Sequence, residues 1–394
     1  MFDLNTLVRP NILTLEPYRC ARDDFKVGIL LDANENTHGP ALSEISETEK
    51  FLELNRYPDP HQHELKQQII NFRNSKPNQY SEQPLEIENL CLGVGSDESI
   101  DMLLRCCCKP GEDKLLICPP TYGMYNICAT INDVEIVRIP LTVPDFQIDS
   151  NAILNKITED PNIKLLYLTS PGNPTAKLIN VESIIDLLKR SSSKWNGLIV
   201  VDEAYIDFTL PNGSYSQSMS TLVNQFPNLV VLQTLSKSFG LAGIRLGITY
   251  TNKKLSKLLN SMKYPYNISS LTSNVALKAT TKEGISIMQD YVKKIIEQRE
   301  IVLNKILDLK YVGKNLGGKD ANFILVEILD KFGKPSNEIA SKLYNTLAVD
   351  NSVVVRFRGN ELNCFGGLRI SIGTEEENKT LLYKFERVLN ELNA

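Results

Sequence analysis

Short, continuously apolar runs alternate with amphipathic stretches through the middle of the chain. Residues 89–95 (NLCLGVG) read as a buried strand, and 96–108 (SDESIDMLLRCCC) as the helix after it. The alternation then repeats. Residues 114–125 (KLLICPPTYGMY) predict a strand and a turn, and 163–175 (IKLLYLTSPGNPT) a strand, a Pro-Gly loop and then a helix capped by Asn180. Residues 197–208 (GLIVVDEAYIDF) and 228–238 (NLVVLQTLSKS) predict two more strands. Runs that are apolar throughout belong to strands covered on both faces, and strands separated by helical patterns belong to a mainly parallel sheet. In such sheets ligands bind beyond the carboxyl ends of the strands.

The flanks read differently. Residues 1–31 look like an arm carrying Tyr18, 31–40 are turn-rich, and 54–60 (LNRYPDP) hold Tyr57 among prolines before a helix at 62–73. Residues 74–87 are a polar loop. A long charged helical pattern over 284–310 suits a connector, after which 321–328, 353–357 and 367–373 predict the strands of a second unit closed by a helix. The expected organisation is an α/β protein in three parts: 1–50, an arm with part of a small domain; 51–283, a large domain; and 284–394, a smaller α/β domain. At 394 residues the chain exceeds one ordinary core.

Composition narrows the function classes. A 42% apolar and 23% charged chain with net charge −4 gives no reason to expect nucleic acid or a membrane as partner. The start shows no secretory signal, and no apolar run is long enough to span a bilayer. The eight cysteines form no CxxC pair and read as small buried hydrophobes in a reducing, cytoplasmic compartment. The three histidines are not at ligand spacing with cysteines, so no metal is expected.

Candidate chemistry gathers where the strands end. Lys237 emerges from an apolar run into Ser, Gly and Ala, with Gly240, Gly243 and Gly247 letting backbone approach a ligand. A lysine amine freed of its proton attacks carbonyls, although a surface lysine after a strand is the plainer alternative. Asp202 ends its strand and needs a cationic or strongly donating partner, such as a protonated pyridine nitrogen; an acid capping a helix or paired with an arginine is the alternative. Tyr205 can donate to a phenolate oxygen, and Asn173 sits in a rigid turn that aims its amide at a ligand or simply makes an Asx turn. Residues 95–98 start a helix after a strand, a natural phosphate seat to which Ser96 adds a hydroxyl, while Asp97 and Glu98 serve mainly as caps. Ser236 and Arg245 complete the cup, and Tyr122 is placed to stack on a ring or to fill the core.

PGNPTA, DEAY and SKSFGLAGIRLG together resemble the aspartate-aminotransferase-like, fold type I family of pyridoxal-phosphate enzymes. LDANEN, NRYPDP, GVGSDESID, ANFILV, VVVRFRG and LRISIGT extend the likeness in order from residue 31 to 374, toward the branch that acts on histidinol phosphate. The resemblance implies a large domain with a seven-stranded, mainly parallel sheet. It implies pyridoxal 5'-phosphate carried by Lys237, which also moves the substrate Cα proton, with Asp202 at the pyridine nitrogen. Asn173 and Tyr205 are implied at the ring oxygen and Tyr122 over the ring. Ser96, Asp97, Glu98, Ser236 and Arg245 are implied around the phosphate, joined by Tyr57 from the other subunit of a homodimer. Arg369, Arg356 and Tyr18 are implied as contacts for the small anionic substrates, histidinol phosphate and glutamate. An aromatic or broad amino-acid aminotransferase is the alternative within the fold. A nicotinamide-dependent dehydrogenase is disfavoured because GVGSDE lacks the third glycine and the later acidic residue, and a ligand-sensing regulator because no DNA-binding segment is expected.

Overall fold

The computed structural model describes Phe25, residues 28–31, Asn34, His38 and residues 58–76, 78–80, 83–210 and 216–394. Tyr18 and Tyr57 lie outside the described residues.

The strands are β1 (Ile29–Leu30), β2 (Leu90–Val94), β3 (Lys114–Ile117), β4 (Glu135–Arg138), β5 (Ile163–Thr169), β6 (Leu198–Asp202), β7 (Leu229–Thr234), β8 (Leu246–Thr251), β9 (Val312–Asn315), β10 (Phe323–Ile328), β11 (Val353–Val354), β12 (Arg356–Phe357) and β13 (Gly367–Ser371). The helices are α1 (His63–Asn74), α2 (Gly95–Cys107), α3 (Met124–Ile131), α4 (Ser150–Glu159), α5 (Val181–Ser191), α6 (Lys253–Met262), α7 (Ser270–Ala279), α8 (Lys282–Leu307), α9 (Asn337–Asn351) and α10 (Glu375–Leu392).

A seven-stranded sheet in the order β2-β8-β7-β6-β5-β3-β4 forms the larger layer, and only β8 runs against its neighbours. Its central strands are buried on both faces. In β6, Ile199 and Val201 enter one apolar cluster while Val200 enters another, as the period-two geometry of a strand requires. Asp202 therefore shares the face of Val200, beside Tyr125 and Tyr167. A second, antiparallel sheet runs β12-β13-β10-β9. The long helix expected over 284–310 is α8, Lys282–Leu307, and Asn180 caps α5 by accepting from the Ser183 N–H.

Two expectations change. The run at 353–357 is not one strand: Val353 and Val354 pair in parallel with Ile29 and Leu30, whereas Arg356 and Phe357 pair with β13. The break at Val355 lets one short segment join two sheets. The pattern also left β4 and β8 unmarked. β4 is an edge strand with exposed Glu135 and Arg138, and β8 interleaves Gly and Thr with its apolar residues.

Candidate active site

The carboxyl ends of β2, β5, β6 and β7 converge on one cavity of about 220 Å³. Because β8 is antiparallel, its leading end, preceded by Arg245, reaches the same rim. From the sequence-predicted set the cavity gathers Ser96, Asp97, Tyr122, Asn173, Asp202, Tyr205, Ser236, Lys237, Arg245, Arg356 and Arg369. Glu98 is not brought in. Its carboxylate turns back to accept from the Val94 N–H at 2.5 Å and from the Asn267 amide at 3.3 Å, which leaves it as the cap of the β2–α2 turn.

The floor of the cavity is a fixed network of donors and acceptors. Asp202 is 4% exposed, accepts from the Tyr125 hydroxyl at 2.8 Å and from the Ala204 N–H at 3.2 Å, and makes no ion pair among the described residues. Burial pushes its pKa up to about 6 against the pull of Tyr125, the Ala204 N–H and the Lys237 charge. Lys237 Nζ lies 5.8 Å from the centre of the Tyr205 ring. The Tyr205 hydroxyl accepts from the Asn34 amide at 3.1 Å, and its ring meets Phe323 edge-on.

One end is shaped to hold an anion. α2 starts directly after β2, so the N–H groups of its first turn have no acceptor within the helix and its dipole is positive there. Arg245 stands beside it in an ion pair with Asp97 at 3.3 Å, and Tyr122 donates to the same carboxylate at 3.1 Å. The approach depends on two glycines. A Cβ on Gly95, whose φ is +73°, would meet the Arg245 guanidinium at 2.5 Å, and one on Gly247 would meet the Gly95 backbone at 2.3 Å. Gly243 has open space around it and is not needed for close approach.

The opposite wall comes from the antiparallel sheet. Arg356 and Arg369 are direct cross-strand partners on β12 and β13. Like charges in that position repel, and an anion between them removes the cost. Arg369 donates to the Asn173 side-chain oxygen at 2.6 Å and lies 5.2 Å from the Phe323 ring centre. Arg358, two positions beyond Arg356, also lines the cavity and pairs with Glu361 at 3.6 Å. The lining carries Lys237 and Arg245, Arg356, Arg358 and Arg369 against the carboxylates of Asp97 and Asp202, so the space favours anions.

Sequence reasoning missed Asn34, Tyr125, Thr169, Thr234, Ala204, Ala242 and Arg358. Signals were present for three: Asn34 lies in LDANEN, Tyr125 follows Tyr122 in one motif, and Arg358 completes VVVRFRG.

The model of the family "Aminotransferase class I and II" matches residues 26–385. The chain belongs to the class I and II aminotransferases. This aminotransferase is 74% identical over 393 residues to "Histidinol-phosphate aminotransferase" of Candida maltosa, covering 100% of both chains. It is 52% identical to the protein of the same name from Saccharomyces cerevisiae, covering 100% of this chain and 99% of that one. Its fold matches the crystal structure of histidinol-phosphate aminotransferase from Sinorhizobium meliloti in complex with pyridoxal-5'-phosphate, with TM-score 0.80, 20% identity and 98% of each chain covered.

Pyridoxal 5'-phosphate, the cofactor of the family, fits the residues present. A buried carboxylate without an ion pair among the described residues suits a protonated ring nitrogen, and the start of α2 with Arg245 suits a phosphate. A lysine lines the cavity beside both.

Proposed function

We propose that this aminotransferase moves an amino group between L-histidinol phosphate or imidazole-acetol phosphate and 2-oxoglutarate or L-glutamate, in L-histidine biosynthesis. The full-length, 74% identical relative carries the reading. The cationic wall supports it in physical terms, because the two substrates present a phosphate ester and a carboxylate, and a guanidinium grips either in two-pronged fashion.

When pyridoxal phosphate is bound, Lys237 would hold it through its amine, Asp202 would serve its ring nitrogen, Asn173 and Tyr205 its ring oxygen, and Tyr122 its ring. Ser96, Ser236, Arg245 and the backbone N–H groups at the start of α2, Asp97's included, would hold the phosphate, while the Asp97 carboxylate keeps Arg245 in place. When bound, pyridoxal phosphate supplies a conjugated sink for the electrons left as a substrate Cα loses its proton. Lys237 Nζ takes that proton and later returns one. One base would serve both half-reactions because the same fixed amine reaches the substrate Cα and the cofactor carbon to which the proton is returned. Asp202 would place a negative charge at the ring nitrogen. Asn34, bonded to Tyr205, holds that hydroxyl in place. Arg369 and Arg356 orient the anionic end of each substrate, with Tyr18 as a further contact.

The active unit is a homodimer in which each subunit donates Tyr57 to its neighbour's cofactor phosphate. The compartment is the cytoplasm, a reading supported by seven free cysteines among the described residues.

A substrate panel tests the reading. Purified holoenzyme is expected to prefer histidinol phosphate over phenylalanine as amino donor to 2-oxoglutarate. A preference for phenylalanine would favour the aromatic or broad-specificity alternative.

A further inference from the structure

Two adjacent residues of α1 reach the two residues that follow Lys237, Arg73 through Asp207 to Ser238 and Phe72 directly to Phe239. Arg73 binds Asp207 through both guanidinium ends, at 2.6 and 3.3 Å. The Ser238 hydroxyl donates to the same carboxylate at 2.7 Å. Beside this contact the rings of Phe72 and Phe239 meet edge-on with centres 5.9 Å apart, and the Arg73 guanidinium lies 4.5 Å over Phe72. The Lys237 backbone is closed into a turn by bonds from the Gly240 N–H to Lys237 O at 3.2 Å and from the Leu241 N–H to Leu235 O at 3.1 Å.

None of Arg73, Asp207, Ser238 or Phe239 lines the cavity. The side chains of Arg73 and Asp207 are each 10% exposed. A buried ion pair is a weak source of net stability, since desolvation offsets most of the attraction. It is, however, directional. Burial raises the Asp207 pKa, but the Arg73 charge and hydrogen bond outweigh it and hold the carboxyl below its ordinary value, so Asp207 stays an acceptor for Ser238. Asp207 also belongs to the segment that carries Asp202 and Tyr205, through the short turn Ile206–Phe208. One carboxylate thus ties α1, the DEAY segment and the lysine turn together.

We propose that Arg73 and Asp207 are positioning residues that aim Lys237 through Ser238. The hydroxyl fixes the backbone one residue beyond the lysine, and the Phe72–Phe239 contact fixes it two beyond. This rests on Lys237 being the catalytic amine.

Ser238→Ala removes the hydroxyl and leaves no charge uncompensated. In the holoenzyme kcat is expected to fall about 10-fold with KM changed less than about twofold, the loss of a misaimed group rather than of a binding contact. The pH midpoint of the lysine-bound cofactor's absorption change should move by about half a unit, because the amine sits differently against Asp202. Phe72→Leu, which keeps an apolar side chain under the turn, should give the same pattern in weaker form. Wild-type kcat and an unmoved midpoint in both variants would overturn the proposal. So would a fall in kcat that tracks melting temperature with the midpoint unmoved, since that is a merely structural effect. Lys237→Ala run alongside separates the two readings: a persisting absorption band there defeats the catalytic assignment, whereas silence of both Ser238→Ala and Phe72→Leu defeats only the positioning role.

Discussion

Asp202 and Arg369 face one cavity from different sheets, and each is 4% exposed. They are held in contrasting ways. Asp202 rests on two neutral donors, one from α3 and one from its own turn. Arg369 reaches across to Asn173, lies against Phe323 and stands opposite a second arginine. The floor therefore presents a lone buried anion and the wall a cluster of cations. A ligand satisfies both only if it is cationic at one point and anionic at others. That is the charge pattern of a pyridinium ring beside phosphate and carboxylate groups. The floor sets which chemistry is run, and the wall selects what undergoes it.

Four substitutions break or sharpen that division. Lys237→Ala strikes the floor and should lower kcat by at least about 10⁴-fold, read in steady-state transamination. Arg369→Met strikes the wall, leaves the lysine's absorption band in place and should lower kcat/KM by about 10²- to 10³-fold for both amino donors. Equal loss of the band would merge the two regions.

Asp202→Asn tests the floor's charge without any ligand. The folded pKa near 6 lies above the ordinary 3.8, so the folded chain binds more protons between those values and stability falls as pH rises through that window. The cost is fully present above pH 6. Cofactor-free Asp202→Asn should therefore be more stable than wild type at pH 8, by up to about 3 kcal/mol, with the gain fading toward pH 4, in denaturant melts at a series of pH values. Arg358→Gln is the smallest change. It should weaken histidinol phosphate about 10-fold while moving glutamate less, because the phosphate carries the greater charge.

The floor was legible in the sequence because unbroken apolar runs end in single polar residues, and strand ends are where such sheets bind ligands. That pattern marked Lys237, Asp202 and Asn173 as candidates, and the ordered motifs around them, PGNPTA, DEAY and SKSFGLAGIRLG, chose between the surface and the ligand-binding reading. The supports were not legible. Asn34 bonds Ser371 from 337 residues away and Tyr205 from 171, and no local pattern announces such pairs. Arg356 and Arg369 could be named, but their cross-strand opposition depends on a register that only folding supplies. The direction of β8 was hidden for the same reason. Its antiparallel run brings Arg245 to the rim at the leading end of a strand, where a purely parallel reading would not look. Glu98 was drawn toward the phosphate by its neighbours in GSDE, yet the Val94 N–H holds its carboxylate back.

The measurement closest to the central claim is chemical. Protein incubated with pyridoxal phosphate is reduced with borohydride, digested, and its peptides weighed. A single modified peptide bearing the cofactor on Lys237, lost in Lys237→Ala, is the expected result. Modification spread over surface lysines, or one specific site elsewhere, would contradict the account.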